Sequence, residues 1–374
     1  MTQITAKIIA DSSNEYGNRI TTFVCTYPRI IHAEVMTHRM FSRNAASSRA
    51  IPVKKLIESV KNNPFVPIAF QKEHSGMQGN EYIEDTSLLV EKWLQARDSA
   101  IHHAQQMLDF GATKQLINRL LEPYQWYTSI ITATEWENFF ALRCPQYELY
   151  AGPENTNEYL CKGRSWKDFM KSNNGLAGDF DTDNVVERLK LNKGQAEIHM
   201  MALAEAMWDA YNESTPKELK AGEWHIPFSV EPREENQIKQ FSDLVRNGIV
   251  KDGWEAQIKI ATARCARVSY TVVGEEGKPD NYENDIKLHD RLAASGHWSP
   301  FEHCAKVMDE LEYYERYSGI YPTLKEQDGD IFNAEAYCTG EYKNTITNGN
   351  HGWSGNFRGF IQYRKMFDNE NITK

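Results

Sequence analysis

The sequence predicts an α+β (α/β mixed) fold, and three observations carry that expectation. Two runs rich in β-branched and aromatic residues, ITTFVCTY at 20–27 and WYTSIITA at 126–133, read as strands. Two stretches without glycine or proline, 86–110 and 195–211, read as helices. Helical and strand-like segments alternate along the chain, with no internal repeat and no low-complexity tract.

The bulk numbers set the frame. At 374 residues the chain holds one large core or two moderate ones. Its 41% hydrophobic and 25% charged content is ordinary for a soluble globular protein. No apolar run approaches the ~18 residues of a bilayer span, and the first residues lack the order of a secretory signal. The six cysteines (25, 144, 161, 265, 304 and 338) are scattered, with no C-x-x-C. That pattern predicts reduced thiols in a cytoplasmic protein rather than a disulfide framework or a zinc site. The net charge of −10 disfavours nucleic acid as a partner. Yet residues 35–57 carry Arg39, Arg43, Arg49, Lys54 and Lys55 and no carboxylate. A local basic, hydroxyl-rich segment in an acidic chain suggests a small anionic ligand such as a phosphate; the alternative is a solvated basic loop.

The elements follow in order. After the strand at 20–27, Pro28 suits the first turn of a helix continuing through PRIIHAEVMTHRMF, with His38 leaving its core-facing stripe at the end. The helix at 86–110 stops at Gly111, and TKQLINRLL forms a shorter one before Pro123. Beyond the second strand, TEWENFFALR starts with Thr134 and has Glu137 three residues on, a capping-box pattern, and places Arg143 near an aromatic face. Residues 144–193 are irregular and rich in Asn, Gly and Asp, which predicts an insertion or elaborated loop. Helices follow at 195–211 and in ENQIKQFSDLVRNG. AQIKIATARCARVSYTVV then has a helical start and a strand-like end. A helix stopped by Gly296 leads into a rigid turn at Pro300.

Four segments concentrate the side chains a site needs. THRMFSRNAASSR offers Thr37, His38, Arg39, Ser42, Asn44, Ser47 and Arg49 as donors in a loop, a set suited to phosphate oxygens. TEWENFFALR sets Asn138 and Arg143 among aromatics, where an arginine clamps a planar heterocycle. ARVSY brings Ser269, and SGHWSPFEH brings His297, Ser299, Glu302 and His303 around one turn. The two histidines lack H-E-x-x-H spacing and a third ligand, so no metal is expected. Cys144 follows Arg143 and reads as a buried structural thiol rather than a nucleophile. No Rossmann, Walker or G-x-S-x-G motif is present.

Together these segments resemble the flavin-dependent thymidylate synthases. The R-H-R-x-x-S-x-N-E-x-S-x-R-Y signature is matched here by Thr37-His38-Arg39-x-x-Ser42-x-Asn44-Ala45-x-Ser47-x-Arg49-Ala50. INRLLEPYQWYT is similar to the family's R-x-x-L-P-x-x-x-Y-T and places Arg119; ENFFALR is similar to N-F-L-x-L-R; QAEIHMMALA matches a Q-x-E-I helix. ARVSY and GHWSPFEH have counterparts in A-R-V-S-F and G-H-x-T-P-F-E-H. In the family those two precede the R-H-R motif, and here they follow it, so the resemblance implies a circularly permuted chain. The implied division is a signature-bearing part at 1–143, an insertion at 144–194, a core helix and connection at 195–230, the permuted segment at 231–303 and a C-terminal extension at 304–374.

The resemblance implies a thymidylate synthase-complementing-protein-like fold assembled as a homotetramer with sites between subunits. It implies FAD as cofactor, with NADPH and methylenetetrahydrofolate as co-substrates, and methylation of dUMP at C5 to dTMP without a cysteine nucleophile. Carried over by position, His38, Arg39, Asn44, Asn138, Ser269, Ser299 and, near the flavin–folate face, His297, Trp298 and Glu302 serve the cofactor. Ser47, Arg49 and Arg119 hold the nucleotide phosphate, Arg143 holds the uracil edge, and Arg143 and Ser47 are the catalytic candidates. Thr37, Ala45 and Ala50 depart from the signature, and Glu34 stands where a substrate-facing Gln is expected. The tail's FIQYRK is expected to return Gln362 and Arg364 to that position, so that alanine at either weakens nucleotide binding at unchanged fold stability. Other products left open are a hydroxymethylated base or another pyrimidine nucleotide, and a non-catalytic flavin or nucleotide binder.

Overall fold

The computed structural model describes residues 2–75, 79, 81–150, 159–172, 184–230, 232–270, 281–317, 356–367 and 370. The strands are β1 (Thr5–Asn14), β2 (Arg19–Pro28), β3 (Ser42–Ala45), β4 (Trp126–Ala133), β5 (Tyr147–Tyr150), β6 (Tyr159–Gly163), β7 (Lys217–Leu219), β8 (Trp224–His225), β9 (Ala305–Val307) and β10 (Phe360–Gln362). The helices are α1 (His32–Val35), α2 (Val53–Asn62), α3 (Ser87–Asp109), α4 (Lys114–Ile117), α5 (Glu137–Arg143), α6 (Trp166–Lys171), α7 (Val185–Lys190), α8 (Ile198–Glu213), α9 (Glu235–Arg246), α10 (Gly253–Arg267), α11 (Tyr282–Ala294) and α12 (Glu310–Tyr317). The fold is α+β.

Its centre is a mixed sheet of order β3-β4-β2-β1-β7, in which only β7 runs parallel to its neighbour. Alternation along β2 and β4 explains why both faces are covered. Phe23, Cys25, Tyr27, Ile131 and Ala133 point to one face and pack on Met200, Leu203, Ala204 and Met207 of α8 and on Phe139 and Phe140 of α5. Truncating the fully buried Leu203 to alanine would cost roughly 2–5 kcal/mol. On the other face Ile130 meets Cys265 of α10 and Val268.

That second face also carries a buried polar chain. Ser12 Oγ lies 2.9 Å from His225 Nδ1, and His225 Nε2 lies 2.8 Å from Thr22 Oγ1. Thr22 and Thr132 hydroxyls are 2.8 Å apart, and Thr132 Oγ1 is 2.8 Å from His303 Nδ1. Every member is buried, and His303 Nε2 ends the chain without a partner among the described residues. Burial holds both imidazoles neutral, each pushed down to about 3.

Several expectations need correction. The helix after Pro28 is cut to one 3₁₀ turn, Arg29–Ile31, and the short α1. Arg43 Nη1 accounts for this: it donates to the carbonyls of Val35, Met36 and His38, which further helical turns would otherwise occupy. The capping box at Thr134 does not form; α5 begins after Trp136, and Thr134 Oγ1 accepts the backbone N–H of Arg358 from the C-terminal segment. TKQLINRLL is α4 followed by a 3₁₀ stretch, Asn118–Tyr124, that accommodates Pro123. The described part of 144–193 is an antiparallel β5/β6 pair with α6 and α7, closed by a small core of Tyr147, Cys161 and Phe169. Residues 268–270 form a 3₁₀ turn rather than a strand, and 271–273 lie outside the described residues. The stop after α11 stands: Gly296 takes a φ of +69°, which suits glycine.

The C-terminal segment returns to the body of the protein. β10 pairs with β9, which pairs with β8 in a separate antiparallel sheet. Gly359, at φ +73°, gives its carbonyl to Asn14 Nδ2 at 3.1 Å, and any side chain there would collide with Asn14 and Asn18.

Candidate active site

Strand β3 puts Ser42 and Asn44 on one side and Arg43 on the other, as its pleat requires. Asn44 is buried and its amide makes three hydrogen bonds. Nδ2 donates to the carbonyl of Cys265 at 2.6 Å, one of the acceptors exposed by the last turn of α10. Oδ1 accepts from Ser269 Oγ at 3.3 Å and from Ser299 Oγ at 3.4 Å. The backbone N–H of Ser47 donates to Ser269 O at 3.1 Å, binding the hydroxyl-rich turn to the same place. Three segments far apart in sequence, around Asn44, Ser269 and Ser299, thus converge on one amide.

A second group lies on the other side of the loop. Arg143, the last residue of α5, donates Nε–H to His38 Nε2 at 3.1 Å and places Nη1 3.6 Å from Glu34 Oε2. Because Nε2 accepts, the ring proton of His38 sits on Nδ1. Burial, then the positive charges of Arg143 and Arg43, pushes the imidazole down to about 4, so it is neutral at physiological pH. Glu34 is raised by burial and by Glu197, with Arg143 opposing. The guanidinium therefore bridges a neutral acceptor and a carboxylate.

The other candidates fall into two groups. Arg39 and Arg49 are exposed and have no acidic partner among the described residues, which fits them for a ligand's charge. Asn138 and His297 are also exposed. Arg119 is exposed but pairs with Glu122 at 3.2 Å. Trp298 is buried and packed against Phe301 and Phe367. Glu302 pairs with Arg364 at 2.5 Å, and Arg364 also holds Glu370 at 3.0 Å.

Gln362 is buried, donating to Ser42 Oγ at 2.8 Å and to Asn356 Oδ1 at 3.2 Å. The tail segment does reach β3, but Gln362 and Arg364 are committed to Ser42, Asn356, Glu302 and Glu370, while Glu34 faces Arg143. Alanine at Gln362 would remove one of the two donors to the buried Ser42 hydroxyl, the other being Asn356 Nδ2 at 2.9 Å, so a stability cost is expected there.

Two roles escaped the sequence pattern. Arg43 organises the loop, and nothing in the spacing marks it. Glu197 of the Q-x-E-I segment caps α8, accepting the N–H groups of His199 and Met200 at 2.8 and 2.9 Å; an acidic residue just before a helical run was the available signal. Among the described residues no group of three or more His, Cys, Asp or Glu side chains gathers as around a metal ion. The five described cysteines are free and buried. No helix among the described residues is long and apolar enough to cross a membrane.

No protein-family model matches the sequence, and no curated protein matches it. Among solved structures, the UMP/dUMP methylase PolB from Streptomyces cacaoi bound with 5-Br UMP aligns at 14% identity and a TM-score of 0.38, covering 57% of this chain and 90% of that one. The same enzyme bound with 5-Br dUMP aligns at 13% identity and a TM-score of 0.37, over 57% and 91%. At that level of similarity neither match carries an argument about activity.

The donor set suits the FAD that the resemblance implies. A phosphorylated planar cofactor needs cations without internal partners, hydroxyls with free lone pairs and a neutral polar ring. Arg39 and Arg49, Ser47, Ser269 and Ser299, and His38 meet those needs.

Proposed function

We propose that the chain is a flavin-dependent thymidylate synthase, methylating dUMP at C5 to dTMP with methylenetetrahydrofolate as carbon donor and NADPH as reductant. The observation that carries this reading is the meeting of Ser269 and Ser299 at Asn44. The family resemblance demands that contact between segments whose order along this chain is changed, and composition does not. In this reading His38, Arg39, Asn44, Asn138, Ser269, His297, Ser299 and Glu302 hold FAD. When bound, the flavin supplies hydride to the one-carbon unit. Ser47, Arg49 and Arg119 take the nucleotide phosphate, Arg119 exchanging Glu122 for it.

Arg143 donates to a carbonyl oxygen of the pyrimidine and polarises the base while C5 acts as the nucleophile toward the one-carbon unit. His38 fixes the direction of the guanidinium by accepting its Nε–H. Cys144 has no part: burial raises its thiol far above the neutral range, and Sγ lies 3.6 Å from the carbonyl of Ala204. The exposure of Arg39, Asn138 and His297 supports a site completed by another copy of the chain, as in a homotetramer.

The test is direct. Purified protein is expected to show an oxidised-flavin absorption spectrum that shifts on adding dUMP, and to yield a product one CH₂ heavier with methylenetetrahydrofolate and NADPH. Protein that neither binds FAD nor turns over dUMP would end the proposal.

A second reading is favoured by Glu34. A carboxylate 3.6 Å from Arg143 accepts hydrogen bonds that a Gln would share between donor and acceptor roles. It suits a base with an exocyclic amino group, making a cytosine nucleotide the alternative substrate, with methyl or hydroxymethyl transfer at C5. Parallel mass analysis of dUMP and dCMP incubations separates the two, since hydroxymethylation also adds an oxygen.

A further inference from the structure

A cavity of about 330 Å³ lies at the opposite side of the central sheet from β3, lined among others by Asp11 and Ser12 of β1, Lys217 of β7, Trp224 of β8 and Trp254 and Gln257 of α10. It is separate from the Asn44 site: Gln257 and Cys265 sit roughly 12 Å apart along α10. We propose that this cavity is a second small-molecule site, for a planar aromatic ring bearing one anionic group.

Charge selects the anion. Asp11 is internally neutralised, because Oδ1 accepts from Arg19 Nε and Thr21 Oγ1, both at 2.9 Å. Oδ2 accepts from Arg19 Nη2 at 2.7 Å and Ser214 Oγ at 2.6 Å. Lys217 has no ion-pair partner among the described residues, so the lining presents one available positive charge. Ser12 and Lys217 are direct partners in the parallel β1/β7 pairing, which sets hydroxyl and ammonium side by side on one face. Together they make a donor pair for a carboxylate or sulfonate.

Shape selects the ring. Trp254, in the first turn of α10, is 57% exposed and makes no ring contact with another described aromatic. An indole left in the open at a cavity wall offers a stacking surface. The volume falls within the range of small-ligand pockets, roughly 300–1,000 Å³.

The buried polar chain gives this site a readout. Ser12 has one hydroxyl proton. If a ligand oxygen takes it, His225 Nδ1–H must donate to Ser12, and Thr22 must donate to His225 Nε2. Thr132 then donates to Thr22, and His303 Nδ1–H donates to Thr132. Both histidines are thereby set as Nδ1–H tautomers, with no proton gained or lost overall.

The experiment titrates the full chain with 2-naphthoate and with uncharged 2-naphthol by calorimetry. 2-Naphthoate is expected to bind at submillimolar Kd and about tenfold tighter than 2-naphthol, with Lys217→Ala removing that difference and Trp254→Ala weakening both about tenfold. Both substitutions are at exposed positions, so an unchanged Tm is expected alongside. In ¹⁵N spectra of labelled histidine, 2-naphthoate is expected to set His225 and His303 as Nδ1–H forms. Absence of binding at millimolar probe, equal affinity for the two probes, or binding that survives both substitutions overturns the proposal. Neither Lys217 nor Trp254 belongs to the Asn44 site, so the binding result is independent of the flavin reading.

Discussion

Arg143 donates its Nε–H to His38 Nε2 across 3.1 Å, although 105 positions separate the two residues. The contact requires a neutral ring. Burial and the adjacent guanidinium groups lower the imidazole to about 4 from an ordinary 6.5, so the contribution of this contact is complete above pH 6.5 and is lost as pH falls through 4. An NMR titration of His38 is expected to show that low midpoint, and Arg143→Ala is expected to raise it. An unmoved midpoint would mean that the pair is not coupled.

Turnover gives a second view of the same pair. Arg143→Ala is expected to lower kcat/KM for the nucleotide by about 30–1,000-fold, the loss of roughly 2–4 kcal/mol of transition-state stabilisation. Flavin retention should change less, because, of the residues assigned to FAD, only His38 is bonded to Arg143, and the cluster around Asn44 is untouched. Activity within a few-fold of the parent would remove Arg143 from the chemistry.

How much of this was legible beforehand depends on where the determining partner lies in sequence. β2, β4, α3 and α8 could be read locally, because β-branched runs and uninterrupted helical stretches carry their own signal. The truncation of the helix after Pro28 could not, since its cause is the side chain of Arg43 folding back onto Val35, Met36 and His38. Thr134 looked like a cap until a backbone N–H from Arg358 claimed its hydroxyl. At the site, motif spacing pointed to Asn44, Ser269 and Ser299. The carbonyl of Cys265, which completes that cluster, is a backbone group that no side-chain pattern reports.

Asn44 tests whether the cluster is a unit. Asn44→Ala leaves the buried Cys265 carbonyl without its donor and is expected to cost roughly 1–3 kcal/mol in urea unfolding. Ser269→Ala and Ser299→Ala each leave one hydroxyl on the amide and should cost less than Asn44→Ala. A loss from either serine variant as large as that of Asn44→Ala would show that the amide is not the hub.

Cys144 separates the proposed chemistry from covalent catalysis. Its thiol is buried and strongly resists ionisation, so Cys144→Ala is expected to retain turnover within about threefold, the packing change being small. Complete loss of activity in a folded variant would require a thiolate nucleophile.

Glu205 governs a stability trend of opposite sign to that of the histidines. Its carboxyl group is buried between α8 and the β5/β6 region, with Oε1 accepting Trp166 N–H at 2.5 Å and Oε2 accepting the Tyr147 hydroxyl at 3.5 Å. Burial first, then the nearby Asp209, raises it from 4.5 to about 7, against the lowering effects of the Trp166 N–H and Arg188. The folded state therefore holds a proton that the unfolded chain releases between those values. Its contribution is full below pH 4.5 and declines as pH rises through 7, by on the order of 3 kcal/mol. Glu205→Gln keeps the shape and removes the titration, so it should be more stable than the parent at pH 8 and close to it at pH 4.5. Urea midpoints at the two pH values measure this, and parallel profiles for the two proteins would show that Glu205 is ionised in the fold at no cost.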